Sequence, residues 1–406
     1  MTSRIRATSP ILTREEAEAI VQKAIKLSKA DAIDVQVNTY TQGNIRFADN
    51  QVSTAGSTTD AQLGIQSAFG PKHAVVTTND LSDEAIKRAV EQSERIAQLA
   101  PDDPESMPQL GAQNYSADSS WFDSTASLTA DDRAQAALYA LDKARKAGDV
   151  KAAGYLVTGA GSLAIGNSSG MFAYRRNTNA NYTLTVRTND GTGSGWAAAD
   201  HPDWMQLDAA GVASRAVDKA RASRSPVAIE PGRYTVILEP QAVGDLVQLI
   251  SNYADARSAD EGRSPFVKQG GGSKVGEKIV DSRVTILSDP ADPQLLGRSW
   301  DSEGMPLGRQ VWIENGVLKQ LIYSRFWAKK QGKPATGGPT TFKMAGGTQS
   351  VDDLIKGTAR GISRHATVVS ARSGSAHDPV HGTHTRRHVP DRERQDHEVA
   401  AEFPIQ

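Results

Sequence analysis

The residues best suited to chemistry lie near the end of the chain, where residues 377–398 read HDPVHGTHTRRHVPDRERQDHE. Five histidines stand there among carboxylates and arginines, and a neutral imidazole is a common zinc ligand. His377, His381 and His384 have the four- and three-residue spacing that aligns side chains on one face of a helix. Pro379, Gly382 and Pro390 disfavour a helix at this point. The pattern therefore favours an irregular segment over a metal site.

Two groups of charged residues are candidates for acid–base or binding chemistry. Paired carboxylates could act as general acid and base, and the first group is Asp289, Asp292, Asp301 and Glu303. Proline and glycine neighbours predict that these carboxylates lie on exposed turns instead. The second group is the densest charged cluster after an apolar helix, and it comprises Asp255, Arg257, Asp260, Glu261 and Arg263. It is interpreted as a solvated helix end with ion pairs, with the wall of a cleft as the alternative.

Composition excludes several kinds of function. The chain has 406 residues and a net charge of -1, so there is no electrostatic case for direct contact with nucleic acid or an acidic membrane. Cysteine is absent, which removes disulfides, thiolate zinc sites and thiol nucleophiles. Neither a signal peptide nor an apolar run of membrane-spanning length is present. We expect a soluble, cytoplasmic protein.

The elements that must position these residues begin with an α+β segment, residues 1–100. Thr13 and Glu16 form a capping-box pattern at the start of a helix. Short strand-like runs follow, and Ser82 caps a second helix. A proline- and aspartate-rich stretch, residues 101–112, is typical of a linker.

Two further globular segments follow the linker. Residues 113–225 alternate helices and strands, and residues 226–362 combine the strand YTVILEP, a helix and further short strands. Asn315-Gly316 between two apolar runs predicts a hairpin, because both residues tolerate positive φ. Ser350 is predicted to cap a last helix that ends near Gly361. The predicted class is therefore α+β and multi-domain, an N-terminal α+β domain followed by a β-rich C-terminal domain.

At YTVILEPQAVGDLVQLISNYADARSADEGRSPF the chain resembles the TldD/PmbA family, a two-component metalloprotease family once called modulator of DNA gyrase. The likeness covers most of residues 13–362 and includes IRFADNQVST, IGNSSGMFAYRR, VWIENGVLKQLIYSRFWA and AGGTQSVDDLIKGTARGI. Each segment is weak by itself, but their order and spacing are specific. The resemblance implies a C-terminal domain of the TldD/PmbA type.

In the active subunit of such proteins, the resemblance implies a His-Glu-x-x-x-His helix whose histidines hold zinc. Its glutamate acts as base on the zinc-bound water, and a cysteine near the C-terminus completes the site. Here the matching helix, Val247 to Tyr253, contains no histidine or glutamate. Glutamine and asparagine amides are poor zinc ligands, and Leu249 stands at the position of the base. The chain is thus closer to the non-catalytic PmbA/TldE-like members, with no catalytic residue, no metal ligand and no cofactor of its own.

The resemblance also implies partners. The non-catalytic subunit pairs with a zinc-bearing, catalytic TldD-like subunit and builds half of a chamber for unfolded or extended peptides, with no direct nucleic acid or membrane contact. The candidate wall of this chamber comprises Gln248, Asn252, Tyr253, Arg257, Glu261 and Arg263. Two alternatives stay open. One is an active metallopeptidase that uses Asp255, Asp260 and Glu261, so whether the chain is an enzyme is undecided. The other is a peptide-binding or scaffold protein without protease activity.

The histidine-rich tail has a different interpretation once the family is considered. Six of the eight histidines lie after Ile362, and residues 363–406 contain no Leu, Lys, Trp, Tyr or Met. When the codons of this tail are read one nucleotide late, they permit the family's C-terminal motifs, including Thr-Phe-Leu-Ile-Glu-Asn-Gly-Lys-Ile from His388 onward. We interpret residues 363–406 as a frameshifted reading of C-terminal strands, and we expect the tail to pack poorly. An error-free gene sequence with unrelated codons would remove this interpretation.

Overall fold

The structure is a computed structural model that describes residues 10–116, 120–228, 230–292, 294–295, 297–359, 361–364 and 401–402. Its N-terminal part contains α1 (Arg14–Leu27), β1 (Ala32–Ala48), β2 (Gln51–Phe69), β3 (Lys72–Thr78), α2 (Asp83–Leu99), α3 (Asp123–Ala126), α4 (Ala130–Ala147), β4 (Val150–Asn167), β5 (Phe172–Thr188), β6 (Ser194–His201) and α5 (Ala209–Ala222).

The C-terminal part has shorter elements. They are β7 (Val236–Leu238), α6 (Pro240–Asn252), α7 (Ala256–Asp260), β8 (Ile286–Ser288), β9 (Gln310–Glu314), β10 (Val317–Leu318), α8 (Arg325–Gln331), β11 (Lys343–Met344), α9 (Val351–Lys356), β12 (Ile362–Arg364) and β13 (Ala401–Glu402). The mixed α+β class predicted from the sequence is confirmed.

The helix starts predicted from local sequence are confirmed. Thr13 and Glu16 form a reciprocal capping box at α1, and Ser82 accepts a hydrogen bond from the Ala85 amide at α2. Ser350 caps α9, also in a capping box. The predicted end of α9 is wrong, because the helix stops at Lys356 with Gly357 as its C-cap.

Two long strands replace the short runs predicted near the N-terminus. β1 continues through Gly43. A side chain at this position would clash with the guanidinium of Arg133, which explains why the residue is glycine. β1 meets β2 at a turn where Asp49 and Asn50 have φ angles of 47° and 60°, a conformation that Asp and Asn tolerate better than most residues. The sequence predicted breaks inside these strands, whereas the ladder runs through them with one irregularity near Phe47.

A single six-stranded antiparallel sheet, in the order β3-β2-β1-β4-β5-β6, joins the first and middle segments of the chain. β1 lies against β4 from Asp34↔Asn167 to Phe47↔Gly154. Alternate residues of β1 are buried beneath α1 and α2 at one end and beneath α4 and α5 at the other. The two segments therefore share one sheet, although a linker separates them in the sequence.

The C-terminal part has its own core and one packed junction with the sheet. Its core forms around α6, α8 and the small antiparallel sheet β10-β9-β8-β11. The hairpin Asn315–Gly316 is confirmed, with φ angles of 49° and 80°. At the junction Trp300 packs against residues from β4, from β5 and from the chain around Tyr115. This junction fixes the C-terminal part relative to the sheet.

In the described residues no helix combines the length and apolarity that crossing a bilayer would require. The predicted frameshifted tail lies almost wholly outside the described residues. Within it the structure gives only the backbone pairing of β12 with β13, at Ser363↔Ala401, and of β12 with β7.

Candidate functional site

A groove of about 770 Å³ runs along one side of α6. The helix starts at Pro240, where the missing proline N–H breaks no helical hydrogen bond. Ala242 and Val247 hold the helix to the C-terminal part because both are buried. The groove has an apolar wall that includes Leu238, Val243, Val247, Phe342, Met344 and Leu354.

The polar lining of this groove is uncharged. It consists of side-chain amides and hydroxyls, on Gln248, Ser251, Asn252, Thr340, Thr341 and Gln349. No lining residue in the described part of the chain is an aspartate, glutamate, histidine, lysine, arginine or tyrosine. The groove can therefore bind apolar side chains and hydrogen-bond a peptide backbone, but its side chains cannot exchange a proton near neutral pH.

Gln248 and Asn252, which the sequence places one helical turn apart, meet on the groove face. Gln248 Nε2 donates to Asn252 Oδ1 and to Ser251 Oγ, each at 2.9 Å. Catalytic zinc requires histidine nitrogens or carboxylates as ligands, and these two amides are occupied with each other. Leu249, at the position of the base, has a hydrocarbon side chain, and the two histidine positions of a His-Glu-x-x-x-His pattern in that register are Gln248 and Tyr253. The residues of α6 do not fit a zinc ion.

The other four candidate wall residues do not line this groove. Tyr253 forms the C-cap of α6 and is 49% exposed. Arg257 donates to Glu261 at 3.0 Å and to Glu105 of the linker at 2.9 Å. Glu261 also accepts from Arg263, and this hydrogen bond, followed by that from Arg257, lowers the pKa of the Glu261 carboxyl. These residues form an ion-pair chain that ties the linker to the C-terminal part.

The alternative metal ligands are engaged in structural contacts. Asp255 accepts from the Ser258 amide at 2.7 Å as the N-cap of α7. Asp260 accepts from Trp327 Nε1 at 2.8 Å, and Glu261 belongs to the ion-pair chain. Across the described ranges no group of three or more His, Cys, Asp or Glu side chains is arranged to hold a metal ion.

The prediction of exposed turns for the other carboxylates is wrong, because Asp301 is buried and Asp289, Asp292 and Glu303 are half-buried. Asp301 is 5% exposed and its carboxylate accepts from the amides of Glu303 and Met305, each at 2.9 Å. The turn around it is folded inward, because the neighbouring Trp300 is buried at the junction. Asp292 forms an ion pair with Lys343 at 2.7 Å.

A second cavity, of about 580 Å³, lies where one end of the sheet meets the linker and α8. Asp34 of β1 accepts from Gln109 Nε2 at 2.9 Å, and burial raises the pKa of its carboxyl. Burial also raises the pKa of Glu303, whose carboxylate lies 3.6 Å from the guanidinium of Arg325. Sequence reasoning singled out Glu303 as a candidate carboxylate, but it missed Asp34 and the cavity that both residues line. The one local signal was an aspartate between the apolar residues Ile33 and Val35 in a strand.

Replacement Asp34→Asn is expected to stabilise the protein at pH 7. Because the pKa of Asp34 is raised in the folded state above its ordinary value of 3.8, the ionised form is disfavoured by folding. That penalty is fully present above the folded pKa and vanishes below the unfolded one. Urea unfolding from pH 4 to pH 8 should show the stability gain of D34N growing with pH.

The control for this prediction is Asp60→Asn, because the side chain of Asp60 is exposed in the folded chain. Gln109 can still donate to the new amide oxygen in D34N, so that hydrogen bond is kept. A D34N protein that is less stable than the wild type at pH 7 would contradict the assignment.

The fold and the groove together define a mixed α+β protein with one long sheet and a C-terminal part that carries an apolar groove. Three family models match in order: the PmbA/TldA metallopeptidase domain 1 at residues 33–97, the central domain at 123–224 and the C-terminal domain at 231–386. The chain belongs to the PmbA/TldD metallopeptidase family. The third match continues past Ile362 into the tail.

Curated relatives agree with this family. A metalloprotease of Methanothermobacter thermautotrophicus is 28% identical over 225 residues, or 50% of this chain and 47% of that protein. The chain therefore spans about half the length of that relative. Metalloprotease PmbA of Escherichia coli O157:H7 is 22% identical over 394 residues, which is 92% of this chain and 84% of that protein.

Solved structures share the fold. A protein described as a proposed modulator of a DNA gyrase from Thermotoga maritima has a TM-score of 0.78 at 19% identity, covering 88% of this chain and 84% of its own. TldE from Thermococcus kodakarensis has a TM-score of 0.75 at 21% identity, and the match covers 87% of this chain and 83% of the TldE chain. At these identities the structures establish the fold alone.

Proposed function

We propose that this chain is the non-catalytic subunit of a heteromeric zinc metalloprotease that processes peptides. The observation that carries the proposal is the groove along α6, whose described lining contains no titratable side chain. A zinc peptidase needs ligands for its metal and a base for the attacking water. In this chain the three positions of the motif hold Gln248, Leu249 and Tyr253, and none of them supplies a histidine nitrogen or a carboxylate.

The same groove is suited to holding an extended peptide. Its apolar wall can take up side chains, and Gln248 Oε1 and Asn252 Nδ2, which the mutual hydrogen bond does not use, can bond to the peptide backbone. Neutral amides bind a backbone without selecting for charge, which fits a subunit that serves varied sequences. The Arg257–Glu261–Arg263 ion-pair chain would support the groove indirectly, because it anchors the linker beside the C-terminal part.

The zinc and the base would come from the partner, a family member with a His-Glu-x-x-x-His helix. In this arrangement the present chain contributes a wall and the partner contributes the reacting groups. Loss of a base lowers the rate of general acid–base catalysis by about 10²–10⁴-fold. A chain without zinc and without a base therefore cannot match the cleavage rate of the complex.

Co-expression with a family member that carries the zinc motif tests the proposal. The chain alone should contain no stoichiometric zinc and should not cleave an unfolded peptide. The mixture should cleave that peptide at least ~100-fold faster than any background rate of the chain alone. The matched control is the same mixture with the partner's motif glutamate replaced by glutamine, which should lose cleavage but keep the complex. Stoichiometric zinc and hydrolysis by the isolated chain would overturn the proposal. Failure to bind any zinc-bearing family member would favour the scaffold alternative.

A further inference from the structure

The cavity of about 580 Å³ beside Asp34 has one face of the six-stranded sheet as its floor. Leu63 and Ile65 of β2 are buried beneath the N-terminal helices, and successive side chains of a strand point to opposite faces. Gln62 and Gln66 therefore point away from those helices and line the cavity. The linker and the start of α8 lie on its other side. Its volume falls within the range of about 300–1,000 Å³ that small-molecule sites occupy.

Gly64 leaves the middle of this floor open. A Cβ atom at Gly64 would meet only a methyl carbon of Thr77, at 3.9 Å. On the neighbouring strand Gln36 lies directly opposite Gly64, and Asp34 lies directly opposite Gln66. The side-chain amides of Gln36 and Gln66 form no hydrogen bond in the described part of the chain. Two unused amides thus lie beside an open space and a carboxylate.

The charges around the cavity are mainly negative. Its lining carries four carboxylates, on Asp34, Asp103, Glu105 and Glu303, one guanidinium, on Arg325, and one imidazole, on His73. Glu105 pairs with Arg257 at 2.9 Å. Glu303 pairs with Arg325 at 3.6 Å, and the Asp103 carboxylate lies 3.8 Å from the imidazole. Asp34 is the carboxylate that remains.

Asp34 belongs to no ion pair in the described ranges. The two groups that hydrogen-bond to it are the neutral amides of Gln109, at 2.9 Å, and Asn167. An ionised carboxylate has about four acceptor sites, so two donors leave it able to accept from a ligand. Because the carboxylate is removed from much of the solvent without a countercharge, its ionised form is disfavoured. A cation that entered the cavity beside Asp34 would offset this penalty.

We propose that this cavity binds a small organic cation whose primary ammonium group forms an ion pair with Asp34. An ammonium group has three N–H donors. The Asp34 carboxylate can accept one of them, and the side-chain oxygens of Gln66 and Gln36 can accept the other two. Gln66 is directly across the strand pair from Asp34, which places their Cβ atoms about 4.5–5.5 Å apart. Gln36 is two residues from Asp34 on the same strand, so the two side chains share a face.

A metal ion fits this cavity less well than an organic cation. Magnesium and calcium need about six or more oxygen ligands, and no described group of three or more His, Cys, Asp or Glu side chains is arranged to hold an ion. The lining also includes the apolar side chains of Met107 and Phe326, which can contact the hydrocarbon or peptide body attached to the ammonium group. The cavity shares no lining residue with the α6 groove, so this site is independent of the proposed function.

Calorimetric titration of the full chain with two simple amines tests the site and identifies the source of the ammonium group. Butylamine represents an alkyl amine, and triglycine represents a peptide amino terminus. At least one of them should bind at least about tenfold more tightly than its match without an ammonium group, which is butanol or N-acetyl-triglycine. Binding of butylamine alone would assign the site to an alkyl amine, and binding of triglycine alone would assign it to an amino terminus.

Three variants localise the binding. Asp34→Asn should weaken amine binding at least about tenfold, because it removes the countercharge and keeps the size of the side chain. Gly64→Val should do the same by filling the floor of the cavity, and valine is favourable in a strand. Asp60→Asn is the matched control and should bind like the wild type, because the side chain of Asp60 is exposed outside the cavity. Thermal melting of each variant checks that it folds.

Absence of binding by both amines up to about 10 mM would overturn the proposal. Equal binding of each amine and its match would also overturn it, because the cavity would then not recognise the charge. Amine binding that persists unchanged in folded D34N or folded G64V would place the amine elsewhere on the chain, with the same consequence.

Discussion

Replacement Trp300→Ala is expected to lower the free energy of unfolding by about 3–5 kcal/mol, the usual cost of emptying a buried tryptophan site. Trp300 is 1% exposed and its ring centroid lies 5.4 Å from that of Tyr115. It also packs with Ile165 and Met171 at the end of the sheet. The cavity would open at the junction between the sheet and the C-terminal part. Urea unfolding followed by two probes should therefore show separate transitions for the two parts.

Trp300→Phe is the matched control for this prediction. The indole N–H of Trp300 is buried without a hydrogen-bond partner in the described residues, so phenylalanine loses packing and no hydrogen bond. Its cost should be about 1 kcal/mol, with a single transition retained. An alanine variant that costs no more than the phenylalanine variant would show that the junction is not packed in solution.

If the chain is the subunit proposed above, replacement Gly244→Trp is expected to raise the KM of the heteromeric protease for an unfolded peptide at least about tenfold. Gly244 lies on α6 at the groove, and a Cβ atom there would meet no atom within 4 Å. A large ring can therefore enter the groove without a clash at its base, and it would occupy space needed by the peptide. Steady-state kinetics of the complex measures the effect, and zinc content should not change.

Gly244→Ala is the control because its methyl group leaves most of the groove open. It should leave cleavage unchanged and stabilise the chain by about 0.5–1 kcal/mol, since glycine is unfavourable within a helix. If G244W cleaves like the wild type within an intact complex, the peptide does not use this groove. The proposal of a non-catalytic subunit would then need another site.

The ion-pair chain at Arg257 and the groove at Gln248 show that a sequence pattern can identify candidate residues without predicting which of them lie together. Both sets were candidates for one wall, because they follow each other along the chain. The turn at Tyr253 directs them to different places, with the amides on the groove and the charged residues against Glu105 of the linker. Proximity in sequence did not give proximity at the site.

The sequence by itself determined the family, the α+β class, the helix starts at Thr13, Ser82 and Ser350, and the turn at Asn315–Gly316. Each cap or turn depends on residues within about four positions of one another, so local chemistry is sufficient. The sequence also established that α6 contains no histidine or glutamate at the positions of the zinc motif.

Only the tertiary structure decided which distant segments meet. The pairing of Asp34 with Asn167, the burial of Trp300 and Asp301, and the cavity between Asp34 and Glu303 all join residues far apart in the chain. The length of β3 likewise limits its pairing with β2 to residues 63–69. These features depend on strand register and on burial summed over the whole sheet, and no short stretch of sequence contains that information.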